Sequence, residues 1–299
     1  MRGTTRTRIV ALALAVAFAA ACGGASNAPA SPSAAGSPKA SAPKFELSTF
    51  QYAIQTKGKL RIGSQEDNPP FSVKNPATGK WEGFDADFGR ELAKAIFGPQ
   101  DDIDKFIEWV PVVSATRIPS LTDNKADVII KTFTITEERK QQIDFSDVYF
   151  VTGQRILVKK SNDTIKEAAD LGAKTVCAQR GSTSEQNITK ANKDAKVLLL
   201  DSYPACLLAL QQGQADAVST DETILFGLVK QDPNTKIVGK PFSDEPYGIG
   251  IKKNQGGDRQ GFVLFVNTWL AGVIKDGTWG KLYEKHITPV SGDKKTSPQ

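Results

Sequence analysis

The chain predicts an α/β fold of two similar lobes, each a mainly parallel sheet flanked by helices, with a cleft between them. Strand–helix–strand alternation predicts the sheets, and an internal echo predicts the pair of lobes. The length, 299 residues, suffices for two modest domains with real cores. Leu60–Gly63 reads as a short strand ending in a glycine turn. Gly83–Gly98 then places Phe84, Phe88, Leu92, Ala95 and Ile96 on one helical face, with Gly98 as the stop. Ile107–Val113 is a strand, Thr116–Asn124 a helix, and Ala126–Ile130 a continuous apolar strand of the kind buried in parallel sheets. The echo follows: Leu121 with Ala126-Asp127 returns as Leu210 with Ala215-Asp216 at the same spacing. Five residues beyond each aspartate stand Thr132 and Asp221, at the C-terminal tips of equivalent strands. Open parallel sheets bind ligands at those tips.

Ahead of these elements the chain reads as an export leader and a tether. Residues 1–8 are cationic, and Ile9–Ala21 is an apolar run closing in small residues. It is short for a permanent membrane span. Ala19-Ala20-Ala21-Cys22 resembles the lipobox of bacterial lipoproteins, with Ala19 where Leu is commonest; the resemblance implies a lipidated Cys22. Gly23–Lys44 is nearly all Gly, Ala, Ser and Pro, a flexible linker with a reach of about 25 Å. The expected location is the extracytoplasmic face of the cell membrane, held by a lipid anchor. The chain carries 38 Lys and Arg against 33 Asp and Glu; without the leader's Arg2, Arg6 and Arg8 the count is 35 against 33. That near-neutrality argues against a nucleic-acid partner. One histidine, His286, argues against a Ser-His-Asp triad and multi-histidine metal sites, and no cofactor fingerprint is present. Cys177 and Cys206 form an even pair in an exported chain, which favours a disulfide over two buried thiols or a metal site. On the chain-entropy picture it would contribute about 3–4 kcal/mol.

Three stretches carry candidate chemistry. Thr132–Arg139 sets three hydroxyls and a guanidinium at a strand-to-helix junction, where a planar fork and helix amides suit a carboxylate. Leu171–Cys177 followed by Gly181-Ser182-Thr183-Ser184-Glu185 is a second strand, small-residue loop and helix start, and lacks the Walker A spacing. Gln214–Glu222 brings Asp221 to the corresponding tip. A carboxylate facing an arginine across a gap suits a zwitterion. The bland alternative for each is a capped helix with solvated charges.

Together these stretches resemble the extracytoplasmic solute-binding proteins that feed polar amino acids to ATP-driven importers, over about residues 57–289. The similarity lies in Leu60–Gly63, Pro69-Pro70-Phe71, Gly83–Asp87, Arg117–Leu121, Asp127, Thr134–Arg139, Ile143–Ser146, Gly181–Thr183, Asp216-Ala217 and Asp221. The resemblance implies the periplasmic-binding-protein fold: lobe 1 at 45–152 plus 248–290, lobe 2 at 153–247, and a disordered tail at 291–299. Tyr149–Val158 and Pro241–Ile251 would cross between the lobes. It implies that Arg139 takes an α-carboxylate with the Thr134 and Thr183 amides, and that Asp221 takes the α-ammonium with the Thr132 carbonyl and the Thr134 hydroxyl. Phe71 or Phe84 would pack on the ligand stem, although Phe84 also fits the helix core. Ser114, Arg117 and Lys131 would reach a side-chain carboxylate, favouring glutamate or aspartate over their amides, while Gln65 stands where acidic-ligand relatives carry a cation. The implied partner is an ABC permease and the expected state a monomer. A sensor subunit for a membrane kinase, or a dehydratase-type enzyme using Glu66, Asp67 or Glu222, are the alternatives.

Overall fold

The computed structural model describes residues 41–254, 259 and 261–298. The leader, Cys22 and the linker through residue 40 therefore lie outside the described residues. The first part of the chain forms α1 (Phe50–Lys57), β1 (Leu60–Ser64), β2 (Asp67–Asn68), β3 (Ser72–Lys74), β4 (Trp81–Glu82), α2 (Phe84–Phe97), β5 (Ile107–Pro111), α3 (Arg117–Thr122), β6 (Val128–Ile129), α4 (Glu137–Gln142) and β7 (Ile143–Lys159). Then follow β8 (Thr175–Gln179), α5 (Thr183–Ala191), β9 (Lys196–Leu200), α6 (Tyr203–Gln211), β10 (Ala217–Asp221), α7 (Glu222–Gln231), β11 (Thr235–Val238), β12 (Asp244–Lys252), α8 (Phe262–Lys275), α9 (Thr278–His286) and α10 (Thr288–Ser291). Among the described residues no helix is long and apolar enough to cross a membrane.

The main sheet has the order β5-β1-β6-β12-β7-β10-β8-β9, with β11 also on β7. Two parallel trios, β5-β1-β6 and β10-β8-β9, stand at its ends. Between them β7 and β12 run antiparallel to every strand they touch. β7 pairs with β12 over 143–153 and with β10 and β11 over 154–159, so it changes partners at Gly153. A Cβ on Gly153 would lie 2.7 Å from the Ser243 carbonyl, so the returning chain can pass this close only over glycine. The α/β class expected from the sequence is therefore the one observed.

The echo is structural. Asp127 accepts from the Arg61 N–H at 2.9 Å and returns its own N–H to the Arg61 carbonyl at 2.9 Å. Asp216 does the same with Thr175, at 2.8 Å each way. Each aspartate thus ties the turn before its strand to the start of the neighbouring strand, and Thr132 and Asp221 follow at matched positions.

Other expectations shift. In α2 the inward face is Phe84, Phe88, Leu92, Ala93 and Ile96, and Ala95 is only half-buried. Strand β8 starts at Thr175, later than expected, because Ala168–Leu171 closes a 3₁₀ turn. Residues 291–298, expected to be disordered, lie against α9: Asp293 accepts from the Tyr283 hydroxyl at 2.9 Å, and Pro298 is buried. Cys177 and Cys206 form a disulfide that ties β8 to α6.

Candidate ligand-binding site

β6 and β10 end at one tight inner cavity, lined from both halves of the sheet. Ser114, Arg117, Lys131, Thr132 and Thr134 come from the first half, Ser182, Thr183, Ser184, Tyr203, Asp221 and Ile224 from the second. Asp221 closes β10 and precedes α7, so it projects where that parallel trio presents its carboxyl ends. Its Oδ2 accepts from the Tyr247 hydroxyl, while its Oδ1 is buried with no hydrogen-bond partner among the described residues. Burial pushes its pKa up to about 7, Glu245 adds to the rise, and Tyr247, Lys131 and Arg117 oppose it. A buried acceptor without a donor is costly, so this atom calls for a cationic or N–H ligand group.

Thr132 is held at φ 36°, a left-handed conformation that costs a threonine roughly 1–3 kcal/mol. The anchor is Asp85 of α2, whose carboxylate accepts from the Thr132 N–H and the Tyr149 hydroxyl at 2.9 Å each. Burial pushes Asp85 up to about 6, against those two donors and Lys131. Arg117, expected to meet a ligand carboxylate, spends its donors on backbone carbonyls instead: Ser114 at 3.1 Å, Lys131 and Gly181 at 3.3 Å, and Thr132 at 3.0 Å. Its guanidinium also lies 4.1 Å from the Phe133 ring centre. Lys131 Nζ donates to Ser114 Oγ at 2.8 Å and Gln179 Oε1 at 3.0 Å. Gln179 in turn donates to Gln65 at 2.9 Å, linking the halves. Burial lowers both cations' pKa well below their ordinary values. Among the described residues neither forms an ion pair.

Arg139 lines an adjoining open cleft that shares Ser114 and Ser182 with the inner cavity. It donates to the carbonyls of Thr134 at 2.7 Å and Gly181 at 3.3 Å. Burial lowers its pKa, while Glu245 and Asp221 raise it. The Thr134 and Thr183 hydroxyls both donate to Glu245, at 2.6 and 2.7 Å. Thr183 opens α5, whose first amides have no intrahelical acceptor.

Phe71 and Phe84 do not reach the cavity. Both are fully buried, ring edge to ring face at 6.2 Å, in a cluster with Phe150 that holds the crossing strands. The aromatic side chain at the cavity is Tyr203. Of the three acids considered for catalysis, Glu66 pairs with Lys74 at 2.9 Å, Asp67 accepts from Gln65, and Glu222 pairs with Arg155. Asp85, Gln179, Tyr203, Glu245 and Tyr247 were not singled out by the sequence. Glu245 and Tyr247 lay inside the expected crossing segment, where the acidic pair Asp244-Glu245 at the start of an otherwise apolar strand was the available signal.

Two parallel trios joined by antiparallel crossing strands, with a polar cavity at the strand tips, define a binding protein of the periplasmic type. The chain belongs to the bacterial extracellular solute-binding proteins, family 3, matched over residues 60–289. It is 42% identical over 236 residues to the glutamine-binding protein of a Bacillus subtilis ABC transporter, covering 79% of this chain and 83% of that one. It is 48% identical over 201 residues to a glutamine-binding protein of Geobacillus stearothermophilus, covering 67% and 75%. An ancestral arginine-binding protein, solved with arginine and with glutamine, shares 42% identity at a TM-score of 0.69, covering 77% of this chain and 98% of that one.

Proposed function

We propose that the protein binds a polar α-amino acid, L-glutamine foremost, between two lobes and delivers it to an ABC permease. The observation that carries the reading is Asp221 Oδ1, a buried acceptor without a donor among the described residues, in a cavity that shares Ser114 and Ser182 with the cleft lined by Arg139 of the other half. Opposite charges on opposite halves suit the two poles of a zwitterion. Ligand contacts to both halves then stabilise the closed form over the open one, and the closed form is what the permease meets. Lobe 1 comprises 45–152 with 248–290 and lobe 2 153–247; the protein acts as a monomer held to the membrane by lipid on Cys22.

The amide ligand is favoured over the acidic one first reasoned from Arg117, Lys131 and Ser114. Arg117 is engaged by four backbone carbonyls and Lys131 by two neutral oxygens, so neither cation is free to neutralise a second carboxylate. The named glutamine-binding relatives point the same way. Glutamate is the second reading; its side-chain carboxylate would have to draw Arg117 or Lys131 away from the neutral oxygens they now hold.

Calorimetry with a panel of amino acids tests both, followed by recovery of the ligand. Tight binding of glutamine, weaker binding of glutamate and recovery of unaltered ligand are expected. Failure of every α-amino acid to bind, or recovery of an altered ligand, overturns the reading.

A further inference from the structure

Glu245 is a buried carboxylate that the expected ligand contacts leave unused. It lies on β12 opposite Thr152 of β7, where the chain crosses between halves, and is 1% exposed. Four donors converge on it. Oε1 accepts from Asn187 Nδ2 at 2.8 Å and Ser243 Oγ at 2.6 Å, and Oε2 accepts from the hydroxyls of Thr134 and Thr183. Those two hydroxyls come from opposite halves, both line the inner cavity, and lie 3.5 Å apart.

A hydroxyl carries one proton and two lone pairs. A carboxylate is a stronger acceptor than a second hydroxyl, so both protons turn toward Glu245 and away from the cavity. What Thr134 and Thr183 then present to a ligand is lone pairs, in the cavity also lined by Asp221, whose Oδ1 has no partner among the described residues. We propose that Glu245 is a positioning residue that makes Thr134 and Thr183 obligate acceptors, and thereby selects a ligand with a protonated primary α-amine over its α-hydroxy counterpart. An ammonium offers three protons to this acceptor set. A hydroxyl offers one and sets its own lone pairs against the remaining acceptors. The inference rests on the amino-acid reading above.

The test is Glu245→Gln. Asn187 donates to one side of residue 245, so the introduced amide keeps its oxygen there and turns its NH2 toward the threonines. That occupies their lone pairs and swings their protons into the cavity. Calorimetry would compare L-glutamine with its 2-hydroxy analogue, and L-glutamate with 2-hydroxyglutarate, on the wild type and the variant. Amino-acid affinity should fall at least about tenfold while hydroxy-acid affinity changes less than about threefold, narrowing the ratio. Equal loss for both ligand classes, or no change in either, overturns the inference and leaves the amino-acid reading standing. A wild type that binds no amino acid removes that reading instead. Should Glu245→Gln fail to fold, Thr183→Val, which deletes one acceptor at similar volume, must narrow the same ratio; equal losses there count against the proposal.

Discussion

Arg139 and Arg117 are both guanidiniums at the cleft, yet their surroundings separate their roles. Arg139 keeps to the adjoining cleft with two carbonyl contacts, so Arg139→Ala should weaken every α-amino acid by about a hundredfold or more, as charge-assisted pairs of this kind do when truncated. Arg117 ties four carbonyls together, so Arg117→Ala should lower the melting temperature and weaken glutamine and glutamate alike. Selective loss of glutamate would restore the acidic reading. Asp221 adds a pH dependence. Its folded pKa, up to about 7, lies above the unfolded value of about 3.9. Its contribution to stability is thus fully present below the unfolded value and lost as pH rises through about 7. Binding has the opposite sign, because an ammonium pairs with the carboxylate form. Amino-acid affinity should fall below about pH 7, by up to about tenfold per pH unit, with proton release measurable by calorimetry in buffers of differing ionisation heat. A flat affinity across that range would remove Asp221 as the ammonium partner.

Strand tips, helix starts and the covalent tie between them set where these side chains stand. The Cys177–Cys206 disulfide closes a separation of 29 residues between β8 and α6. Gln179 and Tyr203, which bear on the cavity network, belong to those same two elements. Losing the link is worth about 3–4 kcal/mol, so reduction should lower the melting temperature by roughly 10 °C in a domain of this size, followed by circular dichroism with and without reductant. The aspartates at 127 and 216 were readable from spacing, since both make reciprocal backbone pairs that any such turn-to-strand junction needs. Helix α2 was readable from its periodicity, but Phe84 and Phe71 were not separable from cleft residues by sequence. An apolar ring satisfies either place, and only the packing against Phe150 decides it.

At two glycines the halves pass too close for a side-chain carbon. Gly227, inside α7, would carry a Cβ 2.3 Å from the Pro69 carbonyl of the other half, and Gly181 a Cβ 2.7 Å from Ala115 Cα. Alanine at 227 favours the helix by about 1 kcal/mol but blocks this approach. Gly227→Ala should therefore leave the unliganded melting temperature unchanged or raised while weakening ligand at least about tenfold through the closure equilibrium. Gly272→Ala, a helical glycine of α8 with nothing within 4 Å of the added atom, is the control, expected to gain the same helix stability with ligand affinity unchanged. A lowered melting temperature with intact affinity would make the Gly227 contact fixed packing. Local rules of period, capping and charge were enough to assign the α/β class and the repeated turn-to-strand pattern, because each depends on neighbours within a few residues, and the cysteine pair followed from an even count in an exported chain. The acceptor set around Glu245, the capture of Arg117 by four carbonyls and the burial of Phe71 each join segments tens of residues apart. Such contacts follow from how the chain crosses between its halves, which no local pattern encodes.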